Sequence, residues 1–238
     1  MDLLIEHPEE GLFLLPGGLL DSNGECRREV KLRPLTGREE EWIADPTREW
    51  TEAALVTALL QRTLERIGPH RATQEMIRSL PVGDRDYLML KLRRITFGKR
   101  VEVILHCPRP ECGKKMDIDF DLDQIPVERM PTRPSYTMIL SEAAAPVEDH
   151  GHSQREIVFR IPQGGDQEAA RGWSASGGED LFRRLLERCL LKIGGTEEQI
   201  ADRVSRLSAR AVEEIAAAME RHAPQVQVEM EARCPECG

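Results

Sequence analysis

Apolar residues along this chain follow two rhythms, one of period two and one of three to four, and the alternation between them predicts the elements. Within the first forty residues the pattern is that of strands. Leu12 to Leu15 and Leu19-Leu20 are short apolar runs separated by Pro16-Gly17-Gly18, a turn signal. Asp21-Ser22-Asn23-Gly24 is a second turn whose Asn-Gly pair favours a hairpin, and Glu29 to Arg33 alternates as a half-buried strand does. After Thr36-Gly37, the acids Glu39, Glu40 and Glu41 followed by Trp42 and Ile43 read as a short helix with negative charge near its N-terminus. The helical rhythm is clearest from Glu52 to Ile67, where Leu55, Val56, Leu59, Leu60, Leu64 and Ile67 share a face and Gly68 stands at the cap position. A further helix is predicted from about Asp84, with Leu88, Leu92 and Ile95 inward and a stop at Gly98. Val101 to Leu105 and Met116 to Leu122 return to period two and predict strands on either side of Cys107.

Residues 126–155 are rich in Pro, Ser and Ala and are expected to form a linker holding one short strand around Tyr136 to Leu140. Beyond it a strand over Glu156 to Ile161, helices over Leu181 to Ile193 and Ala209 to Arg221, and a strand over Val226 to Ala232 follow on the same periodicity.

The second half repeats the first. Arg33, Gly37 and Glu41 recur as Arg160, Gly164 and Glu168. Leu59-Leu60-x-Arg62-x-Leu64-x-x-Ile67-Gly68 recurs as Leu185-Leu186-x-Arg188-x-Leu190-x-x-Ile193-Gly194. Leu80, Arg94, Val101, Glu102 and Cys107 recur as Leu207, Arg221, Val228, Glu229 and Cys234. Preserved order and a nearly constant offset argue for duplication over chance likeness of two Leu/Arg-rich helices. The predicted fold is α+β, with two related modules of strand, helix, helix, strand and cysteine knuckle. Residues 1–29 form an N-terminal β-hairpin segment, 30–125 the first module, 126–155 the linker and 156–238 the second module.

Each module ends in the same device, Cys107-Pro108-Arg109-Pro110-Glu111-Cys112-Gly113 and Cys234-Pro235-Glu236-Cys237-Gly238. Pairs of cysteines two to four residues apart each offer two thiolates from one turn, and two pairs complete the tetrahedron that zinc prefers. Cys107, Cys112, Cys234 and Cys237 are therefore the candidate ligands of one zinc ion, held in a ribbon assembled across the duplication. Four protein ligands leave no open position, so the site is expected to be structural. Disulfides inside each knuckle are the competing reading, and they need an oxidising compartment.

Other candidates have simpler explanations. His106 is expected to point away from Cys107, and Asp149-His150-Gly151-His152 reads as a solvated loop. Asp84 and Asp86 fit a helix cap followed by a first-turn acid. Cys189 falls on an apolar helical face, Cys26 lies beside a turn, and Pro16-Gly17-Gly18 lacks the lysine of a phosphate loop. No grouping of nucleophile, base and acid points to an enzyme.

A net charge of −9 and ten aromatic residues argue against general nucleic-acid binding, which relies on basic grooves and stacking platforms. A local run of Lys91, Arg93, Arg94, Lys99 and Arg100 keeps a nucleic-acid-associated zinc-ribbon adaptor as the alternative. Neither a membrane span nor a secretory signal is evident, so a cytoplasmic origin with reduced cysteines is expected. The last strand, Val226 to Ala232, has no return strand after it, so its edge is expected to be covered by residues past Gly238 or by a neighbouring subunit.

Several segments together resemble the T-even bacteriophage baseplate protein family, found in phage-like contractile injection systems. They are Leu15-Pro16-Gly17-Gly18, Leu32-Arg33-Pro34-Leu35-Thr36-Gly37-Arg38-Glu39-Glu40, and Asp84-Arg85-x-Tyr87-Leu88-x-Leu90-x-Leu92-Arg93-x-x-Thr96-Phe97-Gly98. The two Cys-Pro knuckles and Phe159-Arg160-x-Pro162-x-Gly164-x-Asp166-Gln167-Glu168 complete the set. The resemblance spans nearly the whole chain. It implies a structural component or assembly factor of a tail baseplate, partnered with other baseplate or tail proteins, and it carries over no catalytic residue.

Overall fold

The computed structural model describes residues 7–45, 51–144, 155–170, 178–229 and 232–237. Strands β1 (Leu12–Leu20) and β2 (Cys26–Leu32) form the predicted hairpin around Asp21, whose carboxylate accepts the backbone N–H groups of Asn23 and Glu25. Pro16-Gly17-Gly18 does not divide this region into separate strands as the sequence suggests. It forms an irregularity inside β1, where the register to β2 shifts between Leu14 and Leu19.

Helices α1 (Gly37–Ile43) and α2 (Glu52–Thr63) follow, then β3 (Leu64–Ile67) and β4 (His70–Arg71), completing an antiparallel sheet of order β1-β2-β3-β4. The helix expected to reach Ile67 thus stops at Thr63. Leu64 turns extended (φ −84°, ψ 109°), Thr63 O accepts the Arg33 N–H at 2.9 Å, and the next four residues pair with β2. A regular strand would turn Leu64 and Ile67 to opposite faces, but the register shift beside Lys31 sets them opposite Leu32 and Val30, so both are buried as they would be on a helix. A short helix unmarked by periodicity, α3 (Gln74–Ser79), precedes α4 (Val82–Phe97), which buries Leu88 and Leu92 and ends at Gly98 as predicted. Strands β5 (Arg100–His106) and β6 (Lys115–Asp121) form a ribbon in continuous register.

The stretch expected to be a linker contributes β7 (Val127–Glu128) and β8 (Tyr136–Ile139). The second half then runs β9 (Glu156–Phe159), α5 (Gly164–Ala169), α6 (Gly178–Cys189), β10 (Leu190–Ile193), α7 (Ile200–Ser205), α8 (Ala209–His222) and β11 (Gln225–Val226). β8, β9 and β10 build an antiparallel sheet of order β10-β9-β8. Here too the predicted helix yields its last four residues to a strand, β10, and an unpredicted short helix, α7, follows. Of the described residues at the predicted terminal strand, only Gln225–Val226 forms a strand, and it pairs with β7. Residues 145–154, including Asp149, His150 and His152, lie outside the described residues.

Apart from β4, the element order from β1 to α4 recurs from β8 to α8, and specific contacts recur with it. Arg33 N–H to Thr63 O matches Arg160 N–H to Cys189 O, both at 2.9 Å, and Gly68 N–H to Glu29 O (2.7 Å) matches Gly194 N–H to Glu156 O (2.8 Å). At the head of α1, Glu39 accepts the Thr36 N–H (2.9 Å) and pairs with Arg33 (2.8 Å). At the head of α5, Asp166 accepts the Gln163 N–H (2.9 Å) and pairs with Arg160 (2.7 Å). Each carboxylate satisfies an N–H that the helix start leaves free. The two cores correspond as well: Val30, Leu60, Ile67, Ile77, Leu80 and Leu88 are buried in the first, and Ile157, Leu186, Ile193, Val204, Leu207 and Ile215 in the second.

The halves meet through close backbone approaches. Val82 N–H donates to Pro162 O (3.2 Å) and Gly164 N–H to Leu80 O (3.0 Å). A Cβ on Gly164 would lie 1.6 Å from Arg85 Nη1, and one on Gly83 would lie 1.8 Å from Pro224 O, so glycine is required at both positions. Asp84 is not the helix cap that the sequence suggested. The cap position is Pro81, and the fully buried Asp84 carboxylate accepts the N–H groups of Gly17 (2.7 Å) and Gly18 (2.6 Å). Burial pushes its carboxyl up to about 6 against those two hydrogen bonds.

Candidate metal centre

The β5–β6 ribbon delivers the first knuckle. Seven cross-strand pairs from Arg100↔Asp121 to His106↔Lys115 hold it in register, and Cys107 N–H donates to Lys114 O (2.8 Å) to close the loop between them. Inside the loop, Arg109 O accepts the N–H groups of Cys112 (3.0 Å) and Gly113 (3.1 Å), with Gly113 at φ +55°. The second knuckle is a turn over residues 235–237 following Cys234. It packs on the ribbon so that Cys107, Met116 and Cys234 form a small buried cluster with Cys112, Ile118 and Cys237 against it.

The four cysteines singled out by spacing are thereby brought together, with all four sulfurs within 4.8 Å of one another. The pairing is crossed: Cys107 Sγ lies 3.7 Å from Cys237 Sγ, and Cys112 Sγ lies 3.7 Å from Cys234 Sγ. Zinc–sulfur bonds of about 2.3 Å in a tetrahedron set sulfur–sulfur edges of about 3.8 Å, so the donor set fits such an ion. The same separation is far beyond a disulfide bond of about 2.0 Å, and all six cysteines are free thiols. Backbone N–H groups of Glu236 and Cys237 aimed at Cys234 lower its thiol to about 7, while desolvation and the crowded sulfurs push Cys237 up to about 12. A cation at the centre would favour the thiolate at every position.

Two contacts between the knuckles escaped the sequence reading. Arg109 Nη1 donates to Cys237 O (2.9 Å), and Lys114 Nζ pairs with Glu236 at 2.8 Å. The available signal was the opposite charge of the two loops. Exposed His106 stands outside the cluster, as expected from its place on the strand. Cys189 is fully buried, its thiol pushed up to about 12 by desolvation, and Cys26 Sγ donates to Gly17 O (3.2 Å).

The basic run is largely occupied by its own surroundings. Arg94 pairs with Asp123 (2.8 Å), Lys99 with Asp121 (2.8 Å) and Arg100 with Asp119 (3.1 Å), while Arg93 donates to Gly98 O (3.0 Å) and Lys91 lies 5.0 Å from the Tyr87 ring centre. The three cations paired with carboxylates present a reduced net field to phosphate. Among the described residues, no helix is long and apolar enough to cross a membrane.

Comparison with known proteins adds one match. A family model described as T4 bacteriophage base plate protein aligns with residues 19–238, nearly the whole chain. Neither the curated proteins nor the solved structures yield a match.

Proposed function

The chain belongs to the T4 bacteriophage base plate protein family, and from that premise we propose that it is a structural component or assembly factor of the baseplate of a phage tail or phage-like contractile injection system. It acts through contacts with other baseplate or tail proteins, without catalysis. The family match carries this reading, and an acidic chain whose basic run is ion-paired supports it over a nucleic-acid adaptor. Within this role, residues 30–125 and 156–238 act as two related modules, with 1–29 as an N-terminal hairpin segment and 126–155 between them. Cys107, Cys112, Cys234 and Cys237 hold one structural zinc ion that clasps the modules. The fit of the crossed 3.7 Å sulfur pairs to a zinc tetrahedron supports that assignment.

Quantitative mass spectrometry of sheathed particles and of their assembly intermediates tests the role. A component is recovered at fixed stoichiometry in finished particles, and an assembly factor in intermediates only. Absence from both would defeat the proposal.

A further inference from the structure

The metal-clasp reading leaves open what becomes of the four sulfurs when no metal is bound. We infer that they also form a covalent cross-linking site, in which a two-electron oxidant of the peroxide class closes Cys107 to Cys237 and Cys112 to Cys234, joining the two halves by crossed disulfides.

Three observations carry this. The sulfurs of each crossed pair are already 3.7 Å apart, in a set that spans up to 4.8 Å. Two contacts that involve no sulfur, Arg109 to Cys237 O and Lys114 to Glu236, also hold the knuckles face to face. Cys112 and Cys237 are half-buried at the rim while Cys107 and Cys234 are buried, so each crossed pair joins one sulfur that an oxidant can reach to one that it cannot. Of the two remaining thiols, Cys189 is fully buried, and half-buried Cys26 donates its S–H to the Gly17 carbonyl rather than facing a second sulfur.

The chemistry balances pair by pair. The accessible thiolate attacks one oxygen of peroxide, the O–O bond breaks, and a sulfenic acid forms. The crossed partner's thiolate attacks that sulfur, the S–S bond forms, and hydroxide leaves and takes up a proton as water. Each pair gives two electrons to one peroxide, which becomes two waters. A disulfide sulfur is no longer the thiolate that a metal requires, so oxidation would expel a bound ion and leave a covalent clasp in its place. The halves would then stay joined where a chelator or oxidant removes the metal.

The test uses the full chain, stripped with a chelator, treated with hydrogen peroxide and digested with trypsin without reductant. Pro110 protects the bond after Arg109, so Cys107 and Cys112 remain together in residues 101–114, and cleavage after Arg233 frees a peptide that begins at Cys234. The expected product is one linked species of these two peptides, with Cys26 and Cys189 still open to alkylation after unfolding. Recovery of the two peptides unlinked and internally oxidised would overturn the proposal, even if elemental analysis of the untreated protein finds zinc. Pairing is read from variants that each lack two ligands. Cys112→Ser with Cys234→Ser, leaving Cys107 and Cys237, should cross-link on the order of tenfold faster than Cys112→Ser with Cys237→Ser. Equal rates would defeat the crossed assignment, and if either variant does not fold, the wild-type peptide map still decides between linked and unlinked halves.

Discussion

In the N-terminal half, the strand leading into the cysteine knuckle is seven residues long and fully paired with its own return strand, β6. In the C-terminal half the matching stretch begins at Gln227, and its described residues lie in no strand; the two-residue β11 just before it pairs with β7, a strand from between the halves. Upstream of this point the halves agree, down to the hydrogen bonds that tie Arg33 and Arg160 to the ends of α2 and α6. The agreement lies where a module must satisfy its own backbone and fill its own core, and the difference lies where the modules meet. Asp84 marks a further difference inside the first half: it anchors Gly17 and Gly18 of β1, and its position in the repeat is filled by Ala211.

The sharpest way to break the comparison is through the shared clasp. If the knuckles are equal halves of one site, Cys107→Ser and Cys234→Ser should each release the single zinc ion and cost several kcal/mol. A structural zinc supplies on the order of 10 kcal/mol of folding free energy in small domains. Elemental analysis with thermal unfolding reads both effects. Two ions per chain, or a metal-free chain of unchanged stability, would count against a shared centre.

The paired carboxylates should separate the halves by degree. Asp166 is almost fully buried and receives two guanidiniums, Arg160 at 2.7 Å and Arg188 at 2.8 Å, whereas among the described residues Glu39 pairs with Arg33 alone and the counterpart of Arg188, Arg62, lies over the Trp42 ring. Asp166→Asn should therefore cost about 3–5 kcal/mol, the usual result of leaving buried charges unpaired, and Glu39→Gln less. Urea unfolding of both variants ranks them, and a reversed order would show that the second cation contributes nothing.

Titration should reveal opposite signs within the first half. Arg33 and the Thr36 hydroxyl hold the Glu39 carboxyl down at about 2, below its ordinary 4.5. Its contribution, roughly 2 kcal/mol given the partly open Arg33, should be complete above pH 4.5 and vanish as the pH falls through 2. Asp84, raised from 3.8 to about 6, favours the protonated fold, so its contribution should decline as the pH rises through that window. Gln and Asn both stand in for the protonated acid, so the stability curves of Glu39→Gln and Asp84→Asn should both approach wild type at the acid end. Toward neutral pH Glu39→Gln should fall below wild type while Asp84→Asn gains on it, and parallel curves would refute the assignments.

The smallest expected effect is at the cap of α8. Ser208 accepts the Ala211 N–H at 3.1 Å, while Pro81 at the matching position of α4 offers no side-chain acceptor. Ser208→Ala should cost about 1 kcal/mol, measurable as a shift of the thermal midpoint, and no change would mean that water replaces the hydroxyl.

The sequence alone determined whatever a local rule can carry. Turn chemistry at Asp21 to Gly24 set the first hairpin, the apolar stripes set α2, α4, α6 and α8, and the Cys-Pro knuckles with their offset named the four sulfurs before any geometry was known. Tertiary structure decided what depends on partners far along the chain. Leu64 to Ile67 and Leu190 to Ile193 continue a helical pattern, yet they become strands because β2 and β9 offer backbone groups to pair with, and a register shift in each pairing lets apolar residues three apart be buried in a strand. The short helices α3 and α7 carry too few residues to show a period. Asp84 reads as a helix cap until Gly17 and Gly18 are brought to it, and Arg109, Lys114 and Glu236 read as surface charges until the knuckles face each other. Periodicity records which face of an element is buried, but not which distant backbone, carboxylate or cation will be buried against it.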